Sequence, residues 1–411
     1  MKLKKHIIQF FILAVLLILL SCDQASIFYN IAMEPPPLTP FVGGSPTNMV
    51  VIGNTLFIGS VNNSRIFYLN EGQWYSTNTP NNRPILALAG YGNRLAILME
   101  VRGSGRMQME LVTAAVNTTT GVLSDFVTVS VPAPHNGFEY NIQSIYGAVN
   151  RLFIGAQRME SFIDANGANR LVDVYSIFYI DSGSTPLLLK RGELIDSANN
   201  RLISDTGLLT GAAERSGSFY ISTLSGYIYI LAGGSLTSIP AAGSPISGKF
   251  TGIINTNISG GAIIAVSDNG SSGSVYVVNI AGTAFEENPI SGPIFTGALA
   301  VQGIGSSYTL LLGVRATGTS TVQGYRTLDL PSGGRPATGA IIDNPGAADA
   351  VLRASIGVRP VLSILQVPQG VLGITPPEWT GDLLFAATSQ SGLWSNRERN
   401  GVTRWNAETY D

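Results

Sequence analysis

The chain has 411 residues, with 24 Lys and Arg, 26 Asp and Glu, 2 His and a single Cys. A formal charge of −2 argues against the basic surface of a nucleic-acid binder, and one Cys rules out an intramolecular disulfide or a Cys-based zinc site. A hydrophobic share of 45% excludes disorder, while charged residues reach only 12% and Gly numbers 47.

The first segment carries an address. Lys2, Lys4, Lys5 and His6 form a basic start, Ile7 to Leu20 are apolar except for Gln9, and Leu19-Leu20-Ser21-Cys22 follows. An apolar run of about 14 residues is short for a membrane-spanning helix and fits the core of a signal peptide. The segment resembles a bacterial lipoprotein signal, with Leu19-Leu20-Ser21-Cys22 as a lipobox of the spirochaete type. That resemblance implies cleavage after residue 21, lipidation of Cys22 by palmitate-like acyl chains, and a lipid-anchored envelope protein facing the periplasm or the cell surface. Two or three chains hold a protein firmly, at about 0.8 kcal/mol per buried CH₂. Loss of the three lysines takes the formal charge from −2 to −5.

Residues 22–45 read as the lipidated Cys and a tether. Pro35-Pro36-Pro37 and Pro40 stiffen it, and Gly43-Gly44 loosen it. From residue 46 to 411 the chain reads as short strands. A Gly or Asn turn repeatedly precedes an apolar run: Gly53-Asn54 before Leu56, Gly92-Asn93 before Leu95, Val149-Asn150 before Leu152. Weaker copies centre on Phe219, Ile263, Leu310 and Leu384. Several have an apolar strand upstream, such as 85–88, 142–145 and 361–365. Several have one downstream, such as 174–179, 227–230 and 275–278.

Seven copies, about 55 residues apart on average, suit four-stranded blades that cover one another around an axis. The expectation is an all-β chain folded as a seven-bladed β-propeller, with long insertions between the copies at 95, 152 and 219 and between those at 310 and 384. Six or eight blades are the nearest alternatives, and two β-sandwich domains are the other architecture. The C-terminal stretch Leu384-Phe385-Ala386, Gly392-Leu393-Trp394 and Gly401-Val402-Thr403-Arg404-Trp405 resembles one blade of an Asp-box or sensor-type propeller. Gly401 and Thr403 match its hairpin, whereas Arg397 and Arg399 stand where its Ser and Asp belong. The resemblance implies fold and not activity.

Chemistry is sparse. His135 sits in Pro132-Ala133-Pro134-His135-Asn136-Gly137 with no Gly-x-Ser-x-Gly elbow in the chain, so it reads as a loop histidine. Glu110, Asp125, Glu139, Asp164, Asp173, Asp181, Glu193, Asp196 and Asp205 are spread without a paired motif. Asp268-Asn269-Gly270 lacks calcium-loop spacing and reads as a hairpin turn. No catalytic residue, cofactor or metal is expected. Trp379, Trp394 and Trp405 are candidate ligand contacts as well as candidate blade packing.

The expected function is a non-catalytic module that binds an unknown protein or glycan partner, held to the membrane by its lipid anchor. The alternative is a carbohydrate-active hydrolase or lyase, which would show two acids with Arg or Tyr near the propeller axis.

Overall fold

The computed structural model describes residue 42 and residues 45–408 apart from short connections, the longest being 102–107, 133–138, 316–323, 344–359 and 374–382. The signal segment, Cys22, His135, Asp164, Asp205, Trp379, Arg397, Gly401 and Arg404 lie outside the described residues.

Seven antiparallel sheets follow one another along the chain. Blade 1 contains Pro46–Ile52, Thr55–Ser60, Asn63–Asn70 and Gln73–Asn78. Blade 2 contains Ile85–Tyr91, Arg94–Val101, Gln108–Val116 and Leu123–Val129. Blade 3 contains Asn141–Ala148, Arg151–Ile163, Asn169–Ile180 and Leu187–Lys190. Blade 4 contains Leu209–Arg215, Ser218–Thr223, Ile228–Ala232 and Ser235–Ile239. Blade 5 contains Lys249–Asn255, Ile263–Asp268, Gly273–Val277 and Ile290–Gly292. Blade 6 contains Phe295–Ile304, Ser307–Val314 and Gly324–Leu330, with Asp343 bridged to Thr327 in the place of a fourth strand. Blade 7 contains Val361–Val367, Leu383–Thr388, Gly392–Ser395 and Asn406–Ala407. A separate hairpin, Glu193–Ser197 with Asn200–Ser204, follows blade 3, and a short one, Glu398–Arg399 with Val402–Thr403, interrupts blade 7.

The seven apolar runs picked out of the sequence are the second strands of the seven blades. Sandwiched between blades on both faces, these strands have no polar side to show. Thr55–Ser60 and Leu383–Thr388 are buried at every position. Among the described residues the core divides into seven clusters, one at each seam between blades. Blade 7 meets blade 1 through Leu383, Phe385 and Leu393 on one side and Leu56, Ile58 and Phe67 on the other, so the ring closes. Val42, from the expected tether, is fully buried in this cluster.

Among the described residues no strand is exchanged at the closure; the strands of each blade follow one another along the chain. Side chains supply the latch. Buried Glu408 accepts a hydrogen bond from the Trp74 indole nitrogen at 3.1 Å and another from the Ser395 hydroxyl.

The first strands line the axis, and there the blades approach closely. A Cβ added to Gly147 of blade 3 would stand 1.8 Å from the carbonyl oxygen of Gly90 in blade 2. Only glycine allows that approach. The same crowding recurs between Gly252 and Gly297 of blades 5 and 6.

Candidate functional site

Strand alternation gives the propeller two faces. One carries the turns from first to second strands, and the other carries the second-to-third hairpins and the blade-to-blade connections. A cleft of about 1100 Å³ opens on the second of these between blades 2 and 3. A cavity of about 420 Å³ between blades 1 and 2 adjoins it. Arg83 and Val101 line both, so the two cavities adjoin and together form a groove face over three blades.

The polar lining comes from strand ends in blade 2 and at Asn141, and from mid-strand positions in the long second and third strands of blade 3. Gln108, Met109 and Glu110 begin the third strand of blade 2, Asn141 begins the first strand of blade 3, and Gln157, Arg158 and Asp173 belong to its second and third. The Asn141 carboxamide accepts the Met109 backbone N–H at 3.2 Å and pins the two blades together at the floor. Arg83 is ion-paired with Glu110, whose other oxygen accepts from the Thr128 hydroxyl at 3.4 Å.

Arg158 is 7% exposed and fully engaged. It donates to Glu160 at 2.6 Å, to the Tyr140 hydroxyl at 3.0 Å, to Ser176 Oγ at 3.3 Å and to the Gly192 carbonyl at 2.7 Å. Burying a guanidinium is costly unless every face finds a partner, and here it does. The Tyr140 ring packs edge-on against Phe178, with centroids 5.0 Å apart. Glu139 and Asp173 are exposed and have no cationic partner among the described residues.

Three of the acids that are scattered in sequence, Glu110, Glu139 and Asp173, therefore meet in one groove. Asp181 lies on the opposite face, paired with Arg151, whose guanidinium stands 4.5 Å over the Phe219 ring in a cleft of about 620 Å³. Asp125 sits at a positive φ of 50° in the exposed fourth strand of blade 2. The Asn269 carboxamide oxygen accepts from Ser271 N and Ser272 N, which makes 269–272 the hairpin turn read from the sequence. Among the described residues no group of three His, Cys, Asp or Glu stands where a metal could be held.

The tryptophans pack at seams. Trp405 is 4% exposed and its indole donates to the Tyr325 hydroxyl at 3.3 Å. Trp394 is half-buried against the same cluster between blades 6 and 7. Neither reaches the groove lining. In the seam between blades 3 and 4, burial pushes the Tyr146 phenol up to about 12. Burial and then the neighbouring Tyr75 push up the Tyr68 phenol on blade 1.

The groove is not legible in the sequence because its members come from three blades and share no spacing or periodicity that would mark them. The one usable signal was the long spacing between the second strands at 95, 152 and 219.

The fold and groove define the class: a seven-bladed β-propeller with a polar groove over blades 1 to 3. Solved structures with similar folds include YCF48 from Cyanidioschyzon merolae, 12% identical, covering 87% of this chain and 95% of that one with a TM-score of 0.44. A chain of the mitotic checkpoint complex is 12% identical, with coverages of 89% and 94% and a TM-score of 0.47. A Trypanosoma rangeli sialidase mutant with trans-sialidase activity is 12% identical, with coverages of 71% and 56% and a TM-score of 0.40. No family profile and no curated protein matches the sequence.

Proposed function

We propose that the chain is an envelope lipoprotein, anchored through Cys22, whose propeller binds a protein or glycan in the groove without catalysis. The observation that carries this reading is the pair of adjoining cavities along three blades, on the face of the hairpins and connections. Loops and strand ends on a rigid scaffold are where binding surfaces are built.

A hydrolase or lyase is the second reading, favoured by the meeting of Glu110, Glu139 and Asp173 with Tyr140, Arg83 and Arg158. Against it, Glu110 is neutralised by Arg83, Tyr140 is held by Arg158, and the groove touches the axis-lining strands only at Asn141 and Ile142.

The test is co-purification from detergent-solubilised envelope with the tagged, lipidated chain, a Cys22→Ala form and a Glu139→Lys/Asp173→Lys form. A stoichiometric partner or bound glycan that the groove variant loses supports the binding reading. Retention by the groove variant refutes the groove, and glycan cleavage that stops in Glu139→Gln or Asp173→Asn moves the function to the hydrolase.

A further inference from the structure

The second and third strands of blade 3 outrun their sheet. Pairing with the first strand stops at Gln157 opposite Asn141, and pairing with the fourth is confined to 177–179 against 187–190. Yet the second and third strands continue together from Arg158 opposite Val174 to Ile163 opposite Asn169. At about 3.3 Å per residue this ribbon runs roughly 20 Å past the end of the first strand. Gln157 and Asn141 line the groove, so the ribbon's inner edge begins at the groove and runs away from the disc.

Two features make this edge unusual. A two-stranded ribbon is marginal in water unless a third strand or a packed face supports it. Here Leu171 is 62% exposed and Ser161, its cross-strand neighbour, is exposed too. Proteins normally cover or charge such an edge. Beneath the edge the described cations of the lining are paired, Arg83 with Glu110 and Arg158 with Glu160, whereas Glu139 and Asp173 are exposed in the groove with no described cation paired to them. The groove's aromatic residue offers no platform for stacking a sugar, because the Tyr140 ring packs on Phe178 and its hydroxyl is held by Arg158.

We propose that the groove takes an extended peptide segment of a partner protein, added as a strand along the ribbon edge at Glu160–Ile163, with a lysine or arginine of the partner placed between Glu139 and Asp173. This deepens the binding reading and rests on it. Main-chain hydrogen bonds to the edge hold the segment, and the two carboxylates select its charge.

The test pans the full-length, detergent-solubilised chain against a displayed library of random 12-residue peptides. The expected winners alternate β-branched residues and carry Lys or Arg. Their affinity falls at least tenfold on Glu139→Lys/Asp173→Lys, a pair of exposed sites where the fold is checked by unfolding. The winning peptide is then remade with backbone N-methyl groups at odd or at even positions. Strand addition predicts that one set loses at least tenfold and the other binds as before. Equal binding by both sets, or by the charge-reversed chain, overturns the proposal. If no peptide is selected while the charge-reversed chain still loses its envelope partner or glycan, strand addition is wrong and the groove reading stands. If the charge-reversed chain loses nothing in either assay, both readings fail.

Discussion

The indole nitrogen of Trp74 in blade 1 lies 3.1 Å from Oε2 of Glu408, a carboxylate 334 positions later that is 3% exposed. Ser395 donates to the other oxygen. With no strand crossing from one end to the other among the described residues, this contact, the hydrogen bond from Met49 N–H to Ser363 Oγ at 3.4 Å and the surrounding apolar cluster join the first blade to the last. Glu408→Ala leaves the Trp74 and Ser395 donors without their acceptor in a buried place, which costs about 2 kcal/mol. Urea unfolding of the single variants and of Glu408→Ala/Trp74→Phe should show coupling of about 1 kcal/mol between the two sites. Strict additivity would mean that the contact holds nothing.

Gly147→Ala should be among the most damaging small substitutions in the chain. Its methyl would meet the Gly90 carbonyl at 1.8 Å, and backbone on both sides must move. A loss of about 3 kcal/mol is expected from urea unfolding. A change below about 0.5 kcal/mol would show that the first strands are further apart than described.

Val149→Gly should go the other way. This exposed β-branched residue holds φ at +51°, where blades 1 and 2 place Gly53 and Gly92 in the equivalent turn. Left-handed backbone costs an L-residue about 1 kcal/mol, so glycine should raise stability by about that amount, less its greater freedom when unfolded. Thermal and urea midpoints check the sign.

Tyr146 predicts the alkaline limit. Its phenol is pushed up to about 12 in the fold, against about 10 when unfolded. Over that interval the unfolded chain holds fewer protons, so stability is complete below pH 10 and falls as pH rises toward 12, by about 2–3 kcal/mol in all. Tyr146→Phe has no proton to lose and should flatten this part of the curve. Unfolding midpoints at pH 9, 10.5 and 11.5 for both chains measure it.

Cys22→Ala should abolish incorporation of labelled palmitate and release the chain from the membrane fraction. A variant that still takes up label would place the acyl chains elsewhere and remove the lipobox reading.

The parts of the fold that were legible in sequence are those buried on both sides. Leu56, Leu95, Leu152 and Leu384 stand in second strands covered by two neighbouring blades, and such strands read as unbroken apolar runs. The turns before them were legible because Gly53 and Gly92 take the positive φ that a tight hairpin needs. Fourth strands were not. Gln73–Asn78 and Leu123–Val129 face solvent along most of their length, so nothing distinguishes their composition from a loop. The groove was hidden for a different reason. Glu110, Glu139 and Asp173 are neighbours only because blades 2 and 3 are adjacent, and adjacency of blades leaves no local trace in the chain.

Because the described strands of each blade follow one another along the chain, the order of blades around the ring does not depend on where the chain starts. New ends placed between Asn78 and Ile85, with residues 42 and 408 joined by a linker, would cut no described sheet and would turn the present seam into a blade-to-blade connection. The native sequence is thus one of several equivalent ways to string the same seven units. Its choice of starting point puts the end of the expected lipid tether into the wall of the seam, where Val42 packs beside the latch.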